Sequence, residues 1–461
     1  MTRRIRIDPV TRLEGHGRIE LFLDDDGRLK QTLFQVPDFR GFEAFCIGRP
    51  AEEMPGITQK ICGVCPTAHH VASVKALDAL FGVDPPPAGR MIRELMHLAF
   101  ILEDHLLHFF FLGGPDILAG PDADPDQRNF WGVVKRLGRE MMGRVLTVRR
   151  RVRELNGLLS GSPLYPVCGL PGGVSAAVNP ENRAIIEATC NEALTLVQEV
   201  LTLFERYFLE DADYRRWIED DRFVVETHSM GLVDDADRLR FYDGRLRVVG
   251  PEGNETARFS ADRYTDYLEE RVETWTYHKR LYLKQVGWHG LTDGPASGIY
   301  RVGSLARLNA AKGIGTPLAQ AEFERLYDTL GPGPIHNALA YHWARLVEML
   351  FAAEEMKRLS ADPELTNPVV RRIPETLNSA GIGVCEAPRG TLIHHYQVGG
   401  NAIIRAVNLI VATQHNTAAI ELTVDRTARA FIAEDGISKE VLSRIEMAYR
   451  AYDPCLACAT H

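Results

Sequence analysis

Nothing in this chain approaches the roughly 20 consecutive apolar residues that a helix needs to cross a bilayer. The best candidate, Leu106 to Gly114, is short and interrupted by His108, so no direct membrane span is expected. The stretch TRRIRIDPVTR after Met1 is positively charged but leads into no apolar run. No cleavable export signal is read there, and the cytoplasm is the expected compartment unless a partner exports the folded complex. Positive charge is not in excess either: 53 Lys and Arg against 62 Asp and Glu leave a net charge of −9. That balance argues against a counterion-releasing grip on nucleic acid. A G-x-G-x-x-G turn opening a βαβ unit is missing, so a nucleotide site should lie in another chain. Internal repeats, low-complexity tracts and an interdomain linker are also missing.

What is present is the composition of an ordinary globular protein, 45% hydrophobic and 25% charged with 25 prolines, enough to bury a large core. We read the 461 residues as one unit, mainly α with small β insertions. Its first segment, 1–45, is β-rich: GRIELFLD and LKQTLFQV are strand-like runs joined at Asp25-Asp26-Gly27. From Pro87 the apolar residues of RMIRELMHLAFILEDHLLHFFFL recur at helical spacing, opening a helical core over 87–360. Further helices are expected over Asp126 to Leu159, Asn182 to Glu210, Ala261 to Lys284, Pro317 to Thr329, Ile335 to Leu359 and Lys439 to Ala451. The runs FVVE and RLRVVG mark a small β insertion near 223–259. Gly- and Pro-rich stretches over Gly161 to Gly173 and Gly381 to Gly390 read as loops of the kind that carry sites. The second opens a C-terminal segment, 380–461, expected to form the site.

Of eight cysteines, Cys46, Cys168, Cys190 and Cys385 read as plain buried thiols, and a chain this large needs no disulfides. The other four form two pairs, Cys62-Gly-Val-Cys65 and Cys455-Leu-Ala-Cys458. A C-x-x-C turn aims two thiolates at one metal, and two turns make a four-thiolate site. Structural zinc is one reading, although zinc pairs usually stand roughly 15–20 residues apart and these are separated by almost the whole chain. A thioredoxin-like dithiol wants a βαβ context, which is not found. Nickel, iron and iron–sulfur clusters also suit soft thiolates.

Arg12-Leu-Glu-Gly-His-Gly-Arg18, Cys62-Gly-Val-Cys65 with His69, Ala387-Pro-Arg-Gly390 and Asp453-Pro-Cys-Leu-Ala-Cys-Ala-Thr-His461 together resemble the large subunits of nickel–iron hydrogenases. FRGFE, PLAQ and EAPRGTLIHHY look most like the soluble bidirectional branch linked to NAD(P). The resemblance runs from the first strand to the last residue. It implies a long-helix bundle core and an enzyme that cleaves H2 reversibly at a nickel bound by Cys62, Cys65, Cys455 and Cys458. Cys65 and Cys458 would also bridge to an iron carrying one carbon monoxide and two cyanides, and Cys455 would accept the proton.

The same resemblance makes Glu14 the next proton carrier; taken alone, Glu14 reads equally as a surface or capping acid. Arg389 would be held over the open coordination position, beside Ala387 and Pro388, where a permanent cation can hydrogen-bond cyanide. Asp116 and Asp453 would pair with it, and Thr413 would hydrogen-bond a cyanide. His461, Glu43 and the Leu409 carbonyl would hold a magnesium or iron ion. Ending at His461 resembles a form trimmed by a maturation endopeptidase. Of the other histidines, His69 is the expected hydrogen-bonding neighbour of the centre; His394, His395 and His415 are not assigned as ligands.

Electrons must leave singly, and no further cysteine cluster here could carry them. An iron–sulfur small subunit is therefore expected, followed in this branch by a flavin module that reduces NAD(P). Two other readings remain: a hydrogen sensor reporting to a regulatory partner, and a zinc-stapled structural subunit.

Overall fold

The computed structural model describes residues 3–120 and 123–461. Four long helices, Pro87–Phe111, Arg139–Ser160, Pro180–Phe204 and Tyr341–Ala361, pack into the central bundle. Proline opens two of them, Pro87–Phe111 and Pro180–Phe204, at a position whose N–H has no helical partner anyway. Tyr341–Ala361 is buried on nearly every side and carries Arg345 and Glu348 inward with Trp343 and Met349. The chain is mainly α with small sheets, and among the described residues no helix is long and apolar enough to cross a membrane.

The β structure lies at the bundle's edges. A three-stranded antiparallel sheet opens the chain, Arg3–Ile7, Arg18–Leu23 and Leu29–Gln35. A second sheet joins His228–Val233, Arg245–Val249 and Glu255–Phe259, with Tyr300–Arg301 added in parallel. A third, Ala380–Ala387, Gly390–Val398 and Ile404–Ile410, carries the helix Pro66–Leu80 on one face. Gly381 and Gly383 permit that approach, because a Cβ at either would run into the helix backbone at Ala76 or Ala72.

Several expectations are corrected. Ala261 to Lys284 is no long helix: it holds a 3-10 turn, Ala261–Arg263, and one α-helical turn, Tyr264–Tyr267, then a hairpin of Leu268–Arg271 with Arg280–Leu283. Its acidic residues favour helix, but Leu268, Leu281 and Leu283 pack into a core with Met230, Leu246 and Tyr300, and that packing overrides the weak preference. The helix expected over Asp126 to Leu159 is cut at Gly138 (φ 88) into Phe130–Leu137 and Arg139–Ser160. The stretch from Gly381, read as a loop, is strand up to Ala387, its glycines serving close packing rather than a turn. The helix Ala412–Asp435 is additional to those expected; Gln414, His415, Asn416 and Thr417 on it are all buried, so its apolar periodicity is masked.

Candidate metal centre

Cys62 ends a short 3-10 turn and Cys65 stands at the N-terminus of the helix Pro66–Leu80. Backbone N–H groups of Val64 and Cys65 donate to Cys62 Sγ at 3.2 and 3.3 Å, which curls the turn so that both sulfurs face inward. The second pair sits on the short helix Leu456–Ala459, with Cys455 just before it. Two connections position the second pair, and one of them joins it to the first. The backbone around Glu14 bridges to Cys455, and Leu456 N donates to Glu14 O at 3.0 Å. Arg40 reaches both segments, donating to Ile61 O and, at 3.1 Å, to Ala457 O.

The four sulfurs are buried, with Sγ separations of 3.3 Å for Cys62 to Cys455, 3.2 Å for Cys65 to Cys458 and 2.8 Å for Cys455 to Cys458. All four lie within 4.8 Å of one another. Ligands about 2.3 Å from one ion stand at most about 4.6 Å apart, and the separations of 2.8 to 3.3 Å lie inside that span, so the donor set fits a single soft metal. Hydrogen bonds from the other three thiols lower the proton affinity of Cys62, whereas burial raises that of Cys455 and Cys458. Cys46, Cys168, Cys190 and Cys385 are buried elsewhere, their thiols pushed up to about 11, 11, 12 and 12 by desolvation, as inert packing groups are.

Glu14 places Oε2 3.0 Å from Cys455 Sγ and 3.0 Å from Ala457 N. Burial, reinforced by the charge of Cys62, raises its carboxyl above the ordinary range. Arg389 stands at the tip of a two-residue hairpin, since Ala387 pairs with Gly390 (φ 136) and only Pro388 and Arg389 lie between. Its guanidinium is buried, within electrostatic reach of Cys455 and Cys65, and pairs at 3.2 Å with both Asp453 and Asp104.

Asp104 carries no mark in the sequence. On a helix it reads as one more charge, yet it is fully buried; burial pushes its carboxyl up against the pull of Arg389. Asp116, expected beside Arg389, lies elsewhere: it pairs with Arg12 and, at 3.1 Å, with Arg450. The difference follows from its place on the next helical piece, Pro115–Leu118, whereas Asp104 projects from Pro87–Phe111. Thr413 Oγ1 accepts from Cys455 N at 2.9 Å, so its oxygen steadies the cysteine while its hydroxyl proton is left to donate.

His69 Nε2 lies 3.5 Å from Cys458 Sγ, and its Nδ1 meets His394 Nε2 at 3.1 Å. Its basicity is lowered to about 4 by burial, as suits a neutral hydrogen-bonding neighbour. His395 and His415 turn to Tyr264 and Tyr300. At the chain end, His461 Nε2 is 3.5 Å from Glu43 Oε1, which accepts from Leu409 N at 2.8 Å. Burial alone would raise the Glu43 carboxyl, but its contact with His461 lowers it. The Glu43 carboxylate and the His461 imidazole are two groups that can ligate a cation, whereas the Leu409 group turned to Glu43 is its N–H.

A buried centre of four thiolates, built from both ends of a helical chain, marks a metalloprotein. The sequence matches the nickel-dependent hydrogenase family over residues 40–129 and 296–461, and residues 4–39 match a HoxL-like segment. The chain belongs to that family, oxidoreductases that act on H2. It is 43% identical to an iron-sulfur subunit of the F420-non-reducing hydrogenase of Archaeoglobus profundus, spanning 100% of this chain and 94% of that one. It is 36% identical to the NAD-reducing hydrogenase HoxS subunit beta of Cupriavidus necator, spanning 100% and 95%. An NAD+-reducing NiFe-hydrogenase in the H2-reduced state matches over 100% of both chains with a TM-score of 0.93 and 38% identity. The Ni-Fe-Se hydrogenase of D. vulgaris Hildenborough, at 22% identity and a TM-score of 0.73 over 100% of both chains, shares the fold.

Proposed function

We propose that this chain is the catalytic subunit that reversibly converts H2 into two protons and two electrons at a nickel held by Cys62, Cys65, Cys455 and Cys458. Cys65 and Cys458 would share their sulfurs with an iron bearing two cyanides and one carbon monoxide. The observation that carries the reading is the buried four-sulfur cluster with a carboxyl 3.0 Å from one sulfur. Bound there, the metals supply the Lewis acidity that polarises H2 and the orbitals that take up its electrons.

The chain's own groups do the rest. Cys455 Sγ holds a proton and hands it to Glu14 Oε2, whose raised proton affinity suits it to receive one from a thiol. Arg389 keeps a fixed positive charge near the sulfurs, held by Asp104 and Asp453 and backed by Ala387 and Pro388. Asp116 acts at one remove, through Arg450 at the base of the final segment. Thr413 steadies Cys455, and its hydroxyl would be the donor to a cyanide of the bound iron. Glu43, Leu409 and His461 would hold magnesium or iron, pinning the segment that carries Cys455 and Cys458.

Electrons would pass to an iron–sulfur small subunit, then through a flavin module to NAD(P). The NAD-reducing relative of Cupriavidus necator supports that acceptor; the Archaeoglobus profundus relative is named for not reducing F420. The test is H2-dependent reduction by the purified complex, followed for NAD+, NADP+ and a viologen dye. H2-dependent reduction of the dye together with either nucleotide supports the whole reading; dye reduction alone removes NAD(P) from it; no H2-dependent reduction contradicts it.

A further inference from the structure

Arg307 lies on the helix Ser304–Ala310 and is fully buried. A guanidinium has five N–H donors, and here each has an acceptor. Nε and Nη2 grip Glu348 at 2.6 and 2.7 Å. Nη1 reaches Glu386 Oε2 at 2.9 Å and Ala387 O at 2.8 Å, and Nη2 reaches Pro388 O at 2.9 Å. Both carboxylates are themselves anchored: Glu348 by His105 at 2.8 Å, Glu386 by Thr391 at 2.9 Å and Leu232 N at 3.0 Å.

The carbonyls so held belong to the residues just before Arg389. The flanking ones are held too: Glu386 O meets His97 Nε2 at 2.8 Å, and Arg389 O accepts from Asn416 Nδ2 at 3.5 Å. A two-residue hairpin tip has no ladder partners for its turn carbonyls and ordinarily leaves them to water. This one lies in the interior, with every carbonyl from Glu386 to Arg389 tied to a buried side chain from another element. Among the described residues only Arg307 holds two of them, and its planar fork does so in one orientation.

We propose that Arg307 is a positioning residue: by clamping Ala387 O and Pro388 O it sets where the Arg389 guanidinium stands relative to the four sulfurs. The proposal rests on the role given to Arg389 above. Lysine at 307 keeps the charge but offers one point of attachment, so the tip would gain freedom while the buried Glu348 and Glu386 retain a cation.

A double-mutant cycle of Arg307→Lys and Arg389→Lys in the metal-loaded complex tests it, read as turnover per nickel and as the infrared frequencies of the cyanide bands. Arg307→Lys is expected to load nickel normally, to lower turnover about tenfold or more, and to shift the cyanide bands in the same sense as Arg389→Lys. The double variant is expected to fall no further than Arg389→Lys alone. Equal costs of Arg307→Lys in both backgrounds, or wild-type turnover with unshifted bands, would overturn the proposal alone. Wild-type turnover in Arg389→Lys would instead overturn the role of Arg389, and the clamp with it. If Arg307→Lys does not accumulate folded, the cycle is run with the isosteric Glu348→Gln, which weakens one arm of the clamp and is judged by the same two readings.

Discussion

Glu14 and Cys455 are 441 positions apart in the chain, yet the carboxyl oxygen and the sulfur meet at 3.0 Å, inside a backbone bridge between the same two residues. The N-terminal sheet and the C-terminal helix pieces therefore close on each other at the metal centre. Removing the proton acceptor without moving the backbone is the direct probe of this contact. Glu14→Gln keeps the shape and the bond from Ala457 N but cannot take a proton. It is expected to retain wild-type nickel and to lose about 100-fold or more in H2-dependent turnover, the range typical of a lost acid–base group. Turnover within a factor of two of wild type would refute the relay.

The four sulfurs also hold the two chain ends together. Cys65→Ala leaves three thiolates crowded in a buried site that needs a cation, so nickel should be lost and the thermal midpoint should fall in the same preparation. Metal content by plasma mass spectrometry and a melting curve check this. An unchanged midpoint after loss of nickel would mean that the metal contributes nothing to holding the ends.

Acid should weaken the fold before the carboxylates of ordinary or lowered proton affinity titrate. Burial lowers His70, His97 and His105 to about 4, against about 6.5 in an unfolded chain. Between those values the unfolded chain binds more protons, so stability is full above about pH 6.5 and is lost as pH falls toward 4. Burial would raise the Glu348 carboxyl, but Arg307 outweighs it and holds it at about 2; its contribution is full above about 4.3 and fades only below that. Midpoints measured from pH 8 to 4 should decline from near 6.5, with a smaller decline in His97→Gln. A flat profile across that range would contradict the assignment.

Gly383 lies where the third sheet touches the helix Pro66–Leu80. A methyl group there would collide with the carbonyl of Ala72 and the amide of Ala76, backbone atoms that cannot step aside. Gly383→Ala should cost about 1–3 kcal/mol or more and, because the strand leads to Arg389 and the helix to Cys65, should reduce turnover as well. Denaturant midpoints and turnover per nickel would show both effects; unchanged stability would mean that the helix and sheet are less tightly apposed.

The parts of this architecture that can be read from sequence are those that repeat with regular spacing or sit in compact motifs. The amphipathic run through Pro87–Phe111 and the two C-x-x-C turns announce themselves. The pairing of Cys62 with Cys455 does not, and only the resemblance of the surrounding motifs points to it. Asp104, Arg40 and Arg307 escape notice because a charged residue on a helix or in a loop ordinarily faces water, and nothing local marks one whose partners come from remote segments. The helix Ala412–Asp435 is hidden for a related reason: its first turns bury a polar run, Gln414 to Thr417. Over Ala261 to Lys284 the expectation fails because tertiary packing overrides helix preference.

The central claim is that four cysteines from the two ends of the chain hold a nickel–iron centre. Its most direct test is metal analysis of the purified protein together with its infrared spectrum in the carbonyl and cyanide stretching region. The account predicts nickel, at least one iron for each nickel, and both kinds of band, with the nickel and the bands lost together in Cys65→Ala. Zinc alone, with no such bands, would contradict it and leave a thiolate-stapled helical scaffold.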